Sequence, residues 1–209
     1  MGEILASTGS HLQITFAGVL IAMAAGIALG ILITGNKALA GFVMSMTDVV
    51  QTIPSVALLA ILMMVFGLGN TPVIVALALY SLLPIVRNTY VGILGVDAGL
   101  IEAGRGMGMT KLQLLYRVQI PIALPVILSG IRMAIITALG IATIGVLIGS
   151  GGLGYYIYRG VQISDVGMIL KGAIPVSLLA VMTDFFLLYS EKKLVKSGKR
   201  TMNLQGGSK

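Results

Sequence analysis

The sequence has no cysteine, no tryptophan and a single histidine, and only 10% of its residues are charged. Without cysteine it can form neither a disulfide nor a thiolate metal site, and the lone His11 argues against a transition-metal enzyme. A soluble domain carries about 25% charged residues. Because hydrophobic residues make up 57% of this chain, we predict an all-α protein that crosses a membrane several times.

Five apolar segments approach or exceed the roughly 20 residues that a helix needs to cross a bilayer. They are residues 12–34, 41–66, 72–88, 124–148 and 167–189. The first is predicted to be retained rather than cleaved, because no basic residue precedes it, and its Gly26 and Gly30 have the small-xxx-small spacing of closely packed membrane helices. The second contains Pro54, which removes a backbone hydrogen bond, so we predict one tilted, kinked crossing there.

Basic residues indicate how these segments are oriented. Only Arg159 and Lys171 of the 14 lysines and arginines fall outside the side that carries a polar stretch, residues 97–121, and the C-terminal tail. Cytoplasmic loops are enriched in Lys and Arg, so we predict an external N-terminus, with the polar stretch and the tail in the cytoplasm. Because this topology accounts for the net charge of +7, no nucleic-acid partner is expected. Residues 10–190 are assigned to a membrane domain and residues 191–209 to a basic tail, expected to be partly disordered.

The polar stretch has the signals of two short helices joined by a bend. Asp97 is suited to cap the first helix, and Thr110 with Gln113 has the spacing of a capping box for the second. Gly108 lies between them, where a bend needs a small residue. The second helix is expected to stop before Pro121, because proline disfavours helical geometry in the residue ahead of it. From these residues alone, an amphipathic connection at the membrane surface remains an alternative.

The spacing within this stretch resembles the cytoplasmic loop of ABC-importer permeases. In that family Glu-Ala-Ala is followed after three residues by Gly, after nine more by Ile, and one residue later by Leu-Pro. The matching residues here are Glu102, Ala103, Gly104, Gly108, Val118, Ile120 and Pro121. Gly104, Val118 and Ile120 are conservative departures. The resemblance covers residues 10–190 and implies that a separate ATPase subunit docks on the first short helix and moves it.

The flanking segments narrow the resemblance to one branch of the family. Residues 51–55, 82–90, 105–110 and 148–154 resemble permeases that import the osmoprotectants glycine betaine, carnitine and choline. Methionine-importer permeases are the nearest alternative. The resemblance implies a permease of the bacterial plasma membrane. Its implied partners are ATPase subunits, a second permease copy or paralogue, and an extracytoplasmic substrate-binding protein.

The chain itself is not expected to be an enzyme. It contains no Gly-xxxx-Gly-Lys-Ser/Thr phosphate loop. The resemblance therefore assigns ATP and Mg to the partner ATPase, and no cofactor is expected on this chain. An ion-coupled secondary transporter is an alternative from another class, but such proteins carry inverted repeats, and no matching second half follows the breaks at Pro54 and Pro84.

Some ionisable residues fall inside the apolar segments, where charge is costly and usually has a role. Asp48, Arg132 and Asp184 lie at about the same depth, roughly two turns from the cytoplasmic ends. The geometry therefore allows an ion pair between Arg132 and one of the carboxylates. A structural pair, a part in gating or in the transport pathway, and a proton relay remain alternatives. Gln51 shares the helix face of Asp48 and is grouped with these residues.

The predicted external segment, residues 149–166, is rich in glycine and tyrosine. Its Gly-x-Gly-x-x-Gly pattern lacks the strand and helix of a dinucleotide-binding fold, so we predict a flexible segment near a substrate-delivering partner. The tyrosines of residues 155–158 are interpreted as an aromatic anchor at the membrane edge.

Overall fold

The computed structural model describes the backbone of residues 2–206 and the side chains of residues 2–193. Within that part of the chain every regular element is helical, which confirms the predicted all-α fold. The helices are α1 Gly2–Leu32, α2 Lys37–Thr52, α3 Ser55–Phe66, α4 Asn70–Leu94, α5 Ala98–Gly106, α6 Lys111–Leu114, α7 Ile120–Ala142, α8 Gly154–Gln162 and α9 Val166–Gly206. Turns of 3-10 helix follow α1 at Ile33–Gly35 and α7 at Thr143–Ile148, and a π-helical segment, Leu115–Gln119, joins α6 to α7.

Glycines on one face of α1 allow this helix to pack closely on α4. A Cβ added at Gly18 would lie 2.6 Å from the Cβ of Leu77, and one added at Gly30 would lie 2.5 Å from the Cβ of Thr89. Gly26 has a similar position, 2.8 Å from the side chain of Ile85. The predicted close packing at Gly26 and Gly30 is therefore present, and Gly18 extends it by two turns.

The direction of α1 relative to α4 determines how often the chain crosses the membrane. Gly18 meets the start of α4 and Gly30 meets its later half, so the two helices are parallel. The chain between them must return across the membrane, and only α2 and α3 are available for this crossing. These helices are bent by 97° at a break around Pro54, a much sharper bend than a proline kink. The predicted single crossing is thus made by a broken helix.

α4 is the centre of the bundle, and α7 packs against it in the opposite direction. A Cβ at Gly92 would lie 3.3 Å from the Cβ of Ala123, and one at Gly130 would lie 2.6 Å from the carbonyl oxygen of Pro84. The N-terminal part of α1, the α3–α4 turn and α8 therefore lie at one end of the bundle. The polar stretch with α5 and α6 lies at the other end, as the charge pattern predicts.

The segment expected to be a flexible external loop is instead folded. Residues 154–162 form α8, and the turn before it is held by Asn70, whose Oδ1 accepts hydrogen bonds from Ser150 Oγ (2.9 Å) and from the Gly151 backbone N–H (3.2 Å). Gly152 has a φ of +109°, which favours glycine. A Cβ at Gly154 would lie 2.0 Å from the carbonyl oxygen of Thr143. The glycines therefore serve close packing.

The predicted partial disorder of the basic tail stays a prediction. The side chains from residue 194 onward lie outside the described part of the chain, as do residues 207–209 entirely.

Candidate functional site

The first candidate site is the polar stretch, in which α5 begins and ends at well-defined caps. The Asp97 side chain accepts hydrogen bonds from the backbone N–H groups of Gly99 (2.9 Å) and Leu100 (3.3 Å), as predicted for an N-cap. At the other end the Gly108 N–H donates to the carbonyl oxygen of Arg105 (2.9 Å). Gly108 has a φ of +78°, a conformation that side-chain-bearing residues rarely adopt. The predicted bend is therefore made at this glycine.

A capping box and one buried leucine fix α6 against α5. Thr110 Oγ1 accepts from the Gln113 N–H (3.3 Å), and Gln113 Oε1 accepts from the Thr110 N–H (2.9 Å), as predicted. Leu114 is buried, and its Cδ1 would lie 2.6 Å from a Cβ added at Gly104. Gly104 is itself buried, so its small size serves contact within the loop.

The sequence predicts that the second short helix stops before Pro121, and this prediction is wrong. The backbone stays helical from Lys111 through the π-helical segment into α7, and Pro121 lies in the first turn of α7. The Ile120 N–H donates to the Leu115 carbonyl oxygen, five residues back. This π turn adds one residue to the helical turn just ahead of Pro121, so the proline, which has no N–H and crowds the preceding turn, fits without ending the helix. The loop is therefore joined to the fourth crossing by a continuous helical segment.

One surface of the loop is open to a partner. Glu102 and Ala103 are exposed on α5. The apolar side chains of Met107, directly after α5, and Leu112, on α6, are also exposed, at 71% and 63%. Glu102 takes part in none of the ion pairs among residues 2–193. Of the remaining motif residues, Val118 and Ile120 are half-buried and Pro121 is exposed. The exposed residues of α5, of the turn after it and of α6 thus include a carboxylate, a small residue and apolar side chains.

The ion pair that the sequence allows for Arg132 is present. Arg132 Nη1 lies 3.2 Å from Asp184 Oδ1, and this pair joins α7 to α9. Glu191 Oε2 lies 4.0 Å from Arg132 Nε, so a second carboxylate is close to the same guanidinium. These charged residues therefore connect α7 to α9.

Asp48 has a different partner, one that the sequence did not suggest. Its Oδ1 lies 2.8 Å from Arg87 Nη2, and both side chains are about half exposed, at 48% and 50%. Sequence reasoning treats Arg87 as a boundary residue because the apolar segment ends there. Since α4 continues to Leu94, Arg87 lies about two turns inside the helix. Pairing across 39 residues has no local signal that could have revealed it.

The break between α2 and α3 opens a small cavity with polar groups in its lining, and it begins at Gln51, about one turn along α2 from Asp48. Gln51 Nε2 donates to the carbonyl oxygen of Tyr80 (2.9 Å), and the Tyr80 hydroxyl donates to the carbonyl oxygen of Ile53. The cavity has a volume of about 360 Å³, and Ser55 and Thr137 also line it.

We group the polar residues of the pair and of the cavity under one name, the pathway face. It comprises Asp48, Gln51, Thr52, Ser55, Arg87 and Thr137. All but Ser55, which is half-buried, are exposed or half exposed in the isolated chain. Charged and polar side chains inside a membrane face protein or water rather than lipid. The pathway face is therefore a surface that needs a protein or aqueous neighbour.

Comparison with known proteins decides the family. A family described as "binding-protein-dependent transport system inner membrane component" matches residues 18–196. The chain belongs to this family. The glycine betaine/carnitine/choline transport system permease protein OpuCD of Bacillus subtilis is 46% identical over 203 residues, covering 97% of this chain and 89% of the relative. The osmoprotectant import permease protein OsmW of Salmonella typhimurium is 41% identical, with 95% of each chain covered.

A solved structure supports the same architecture. The inward-facing MetNI methionine ABC transporter contains a chain that superposes with a TM-score of 0.83, covering 93% of this chain and 97% of the other, at 24% sequence identity. At this identity the similarity concerns the fold alone. As an inner membrane component this chain is a multi-pass membrane protein, which agrees with its apolar helices.

Two of the tyrosines interpreted as an aromatic anchor pack against each other at the start of α8. Tyr155 and Tyr156 pack edge to face with ring centroids 5.6 Å apart, and this is the aromatic pair found among the described side chains. Tyr155 and Tyr158 are exposed at α8. The aromatic-anchor interpretation stays a prediction.

Proposed function

We propose that this chain is the permease subunit of an ATP-driven importer of quaternary-amine osmoprotectants, namely glycine betaine, carnitine or choline. The relatives named for these cargoes are 41–46% identical over most of the chain. The carnitine transport permease protein OpuCD of Listeria monocytogenes, which is 45% identical over 88% of this chain, is also named for one of these cargoes. A methionine importer is the second candidate, and it rests on a similarity of fold at 24% identity.

The geometry of the polar stretch carries the proposed mechanism. A separate ATPase subunit, with ATP and Mg bound to it, receives the exposed face of α5 around Glu102 and Ala103. Because Gly104 packs on Leu114, a displacement of α5 also moves α6. Since α6 continues through the π-helical segment into α7, the movement reaches the membrane domain. ATP binding to the partner thereby biases two arrangements of the crossings, one open to each side.

The pathway face supports a second permease chain, either a copy or a paralogue, as the neighbour that completes the route. The Asp48–Arg87 pair and the cavity at the α2–α3 break would then face a passage between two chains rather than lipid. At the opposite end of the bundle, α8 and the ordered turn before it offer the surface for an extracytoplasmic substrate-binding protein.

Transport by reconstituted protein tests this function. The chain is assembled in liposomes with its ATPase, its paired permease and its binding protein, and uptake of labelled glycine betaine, carnitine, choline and methionine is compared. We expect ATP-dependent uptake of at least one quaternary amine and none of methionine. Uptake of methionine alone would favour the second candidate. Uptake driven by a proton gradient without ATP would contradict an ATP-driven importer.

The orientation is proposed from charge: the polar stretch in the cytoplasm and α8 outside. Because the chain has no cysteine, single substitutions give a clean test. Met107→Cys and Tyr155→Cys place thiols at positions that are 71% and 52% exposed, at opposite ends of the bundle. We expect a membrane-impermeant maleimide to label Tyr155→Cys in spheroplasts and to label Met107→Cys only after permeabilisation. The reverse pattern would invert the topology.

A further inference from the structure

A basic crevice lies where α1 leaves the membrane domain and meets the polar stretch. It has a volume of about 450 Å³, and its walls come from the end of α1, from α5 and from the helical segment that leads into α7. Arg105, Lys111 and Gln119 line it together with apolar side chains, and no carboxylate is among its lining residues. Arg105 and Lys111 also make no ion pair within the part of the chain whose side chains are described.

The crevice continues into a long apolar groove on the outside of α1. The groove has a volume of about 780 Å³ and shares Ile31 and Leu32 with the crevice. It follows α1 from Leu20 to Leu32, a rise of about 18 Å at 1.5 Å per residue. One leaflet of a bilayer has a hydrocarbon thickness of about 15 Å, half of the whole core. The groove therefore has the length of one lipid chain.

We propose that this composite site binds one anionic phospholipid of the leaflet that faces the polar stretch. The phosphate lies between Arg105 and Lys111, where it accepts hydrogen bonds from both cations and from the Gln119 amide. One acyl chain lies along α1 in the groove whose floor is formed by Ala24 and Ala28. This site is separate from the pathway face and goes beyond the proposed transport function.

The combination of crevice and groove favours a lipid over the acidic side chain of an ATPase subunit. Two cations in a crevice whose lining contains no carboxylate attract any anion, and basic pockets between membrane helices are suited to anionic headgroups. An ATPase carboxylate, however, would occupy only the crevice. The adjoining groove is lined mainly by apolar side chains and follows a membrane-spanning helix. A molecule with both an anionic headgroup and a hydrocarbon chain would therefore fill the crevice and the groove together.

Native mass spectrometry of the purified full-length chain tests the site directly. Phosphatidylglycerol and phosphatidylcholine with the same acyl chains are titrated, and the fraction of lipid-bound protein is measured. We expect phosphatidylglycerol to be retained more strongly, and Arg105→Gln/Lys111→Gln to weaken its binding by about thirtyfold, from the usual contribution of each cation near an anionic lipid. The matched control Arg159→Gln/Lys171→Gln removes the same charge at the opposite end of the bundle and is expected to retain wild-type binding.

A second variant separates the groove from the charges. Ala28→Phe fills the groove without changing the charge and is expected to weaken phosphatidylglycerol binding, while water-soluble glycerol phosphate should fail to compete in the wild type. Equal retention of both lipids, or undiminished binding by the Arg105/Lys111 variant, would overturn the proposal. So would loss of ATPase binding by that variant in lipid-free detergent with its lipid binding intact, since the cations would then serve the ATPase.

Discussion

Replacing Gly108 by proline is expected to abolish ATP-driven uptake while the chain still inserts and folds. Gly108 has a φ of +78° and its N–H donates to the Arg105 carbonyl oxygen. Proline holds φ near −65° and has no N–H, so the angle between α5 and α6 cannot be kept. A mismatch of about 3 kcal/mol shifts an equilibrium by roughly a hundredfold. Uptake and ATP hydrolysis are measured in the same liposomes, and hydrolysis should continue without transport.

Gly106→Ala is the matched control for this loop. Gly106 lies in α5 without a positive φ, and a Cβ added there meets nothing within 4 Å, so transport should be unchanged. Glu102→Lys tests the docking surface separately, because it reverses an exposed charge without straining the backbone, and it should also uncouple hydrolysis from uptake. Wild-type transport by Gly108→Pro, or an equal loss in Gly106→Ala, would contradict the proposed role of the bend.

Loss of one charge from the Asp48–Arg87 pair is expected to reduce uptake by at least about tenfold, which corresponds to 1.4 kcal/mol. Asp48→Asn leaves the Arg87 guanidinium without its carboxylate on the pathway face, so the proposed passage would carry an uncompensated positive charge, and charged groups in such positions usually have a role in transport. Both side chains are half exposed, and such pairs contribute about 1 kcal/mol or less to stability. The expected signature is therefore a large loss of transport with a small change in thermal stability, each measured on the reconstituted complex.

Asp184→Asn serves as the comparison for the Asp48 variant. It removes the same charge from the other intramembrane pair, but Arg132 retains Glu191 at 4.0 Å, so a smaller loss of transport is expected. Exchanging both charges, as Asp48→Arg with Arg87→Asp, distinguishes the remaining alternatives. Full recovery of uptake would indicate a structural pair, whereas continued loss would support a direct role in the pathway. Normal uptake by Asp48→Asn would remove the pair from the mechanism.

Local signals in the sequence were sufficient for much of the fold. Apolar segments of membrane-spanning length predicted the crossings, since hydropathy is a property of consecutive residues. The cap at Asp97 and the capping box at Thr110 were confirmed because each depends on residues two or three positions apart. The spacing from Glu102 to Pro121 indicated the family without any knowledge of the fold.

What remained undetermined depends on residues that are distant in the chain. The ion-pair partner of Asp48 is 39 residues away in the sequence, and no residue close to Asp48 indicates which partner it has. The helix continues through Pro121 because a π turn accommodates the proline. The prediction of a stop considers only the backbone of the residue before the proline.

The same reason applies to the glycines of α8 and to the groove along α1. A glycine pattern shows where side chains are absent, but it does not show which other segment packs there. Gly154 packs on Thr143, whereas the glycine pattern alone predicts a flexible loop. Hydropathy, caps and motif spacing are encoded within a few turns of chain, and the sequence by itself determined them. Ion-pair partners, helix directions and the joining of a basic crevice to an apolar groove require distant segments to meet, so only the tertiary structure decided them.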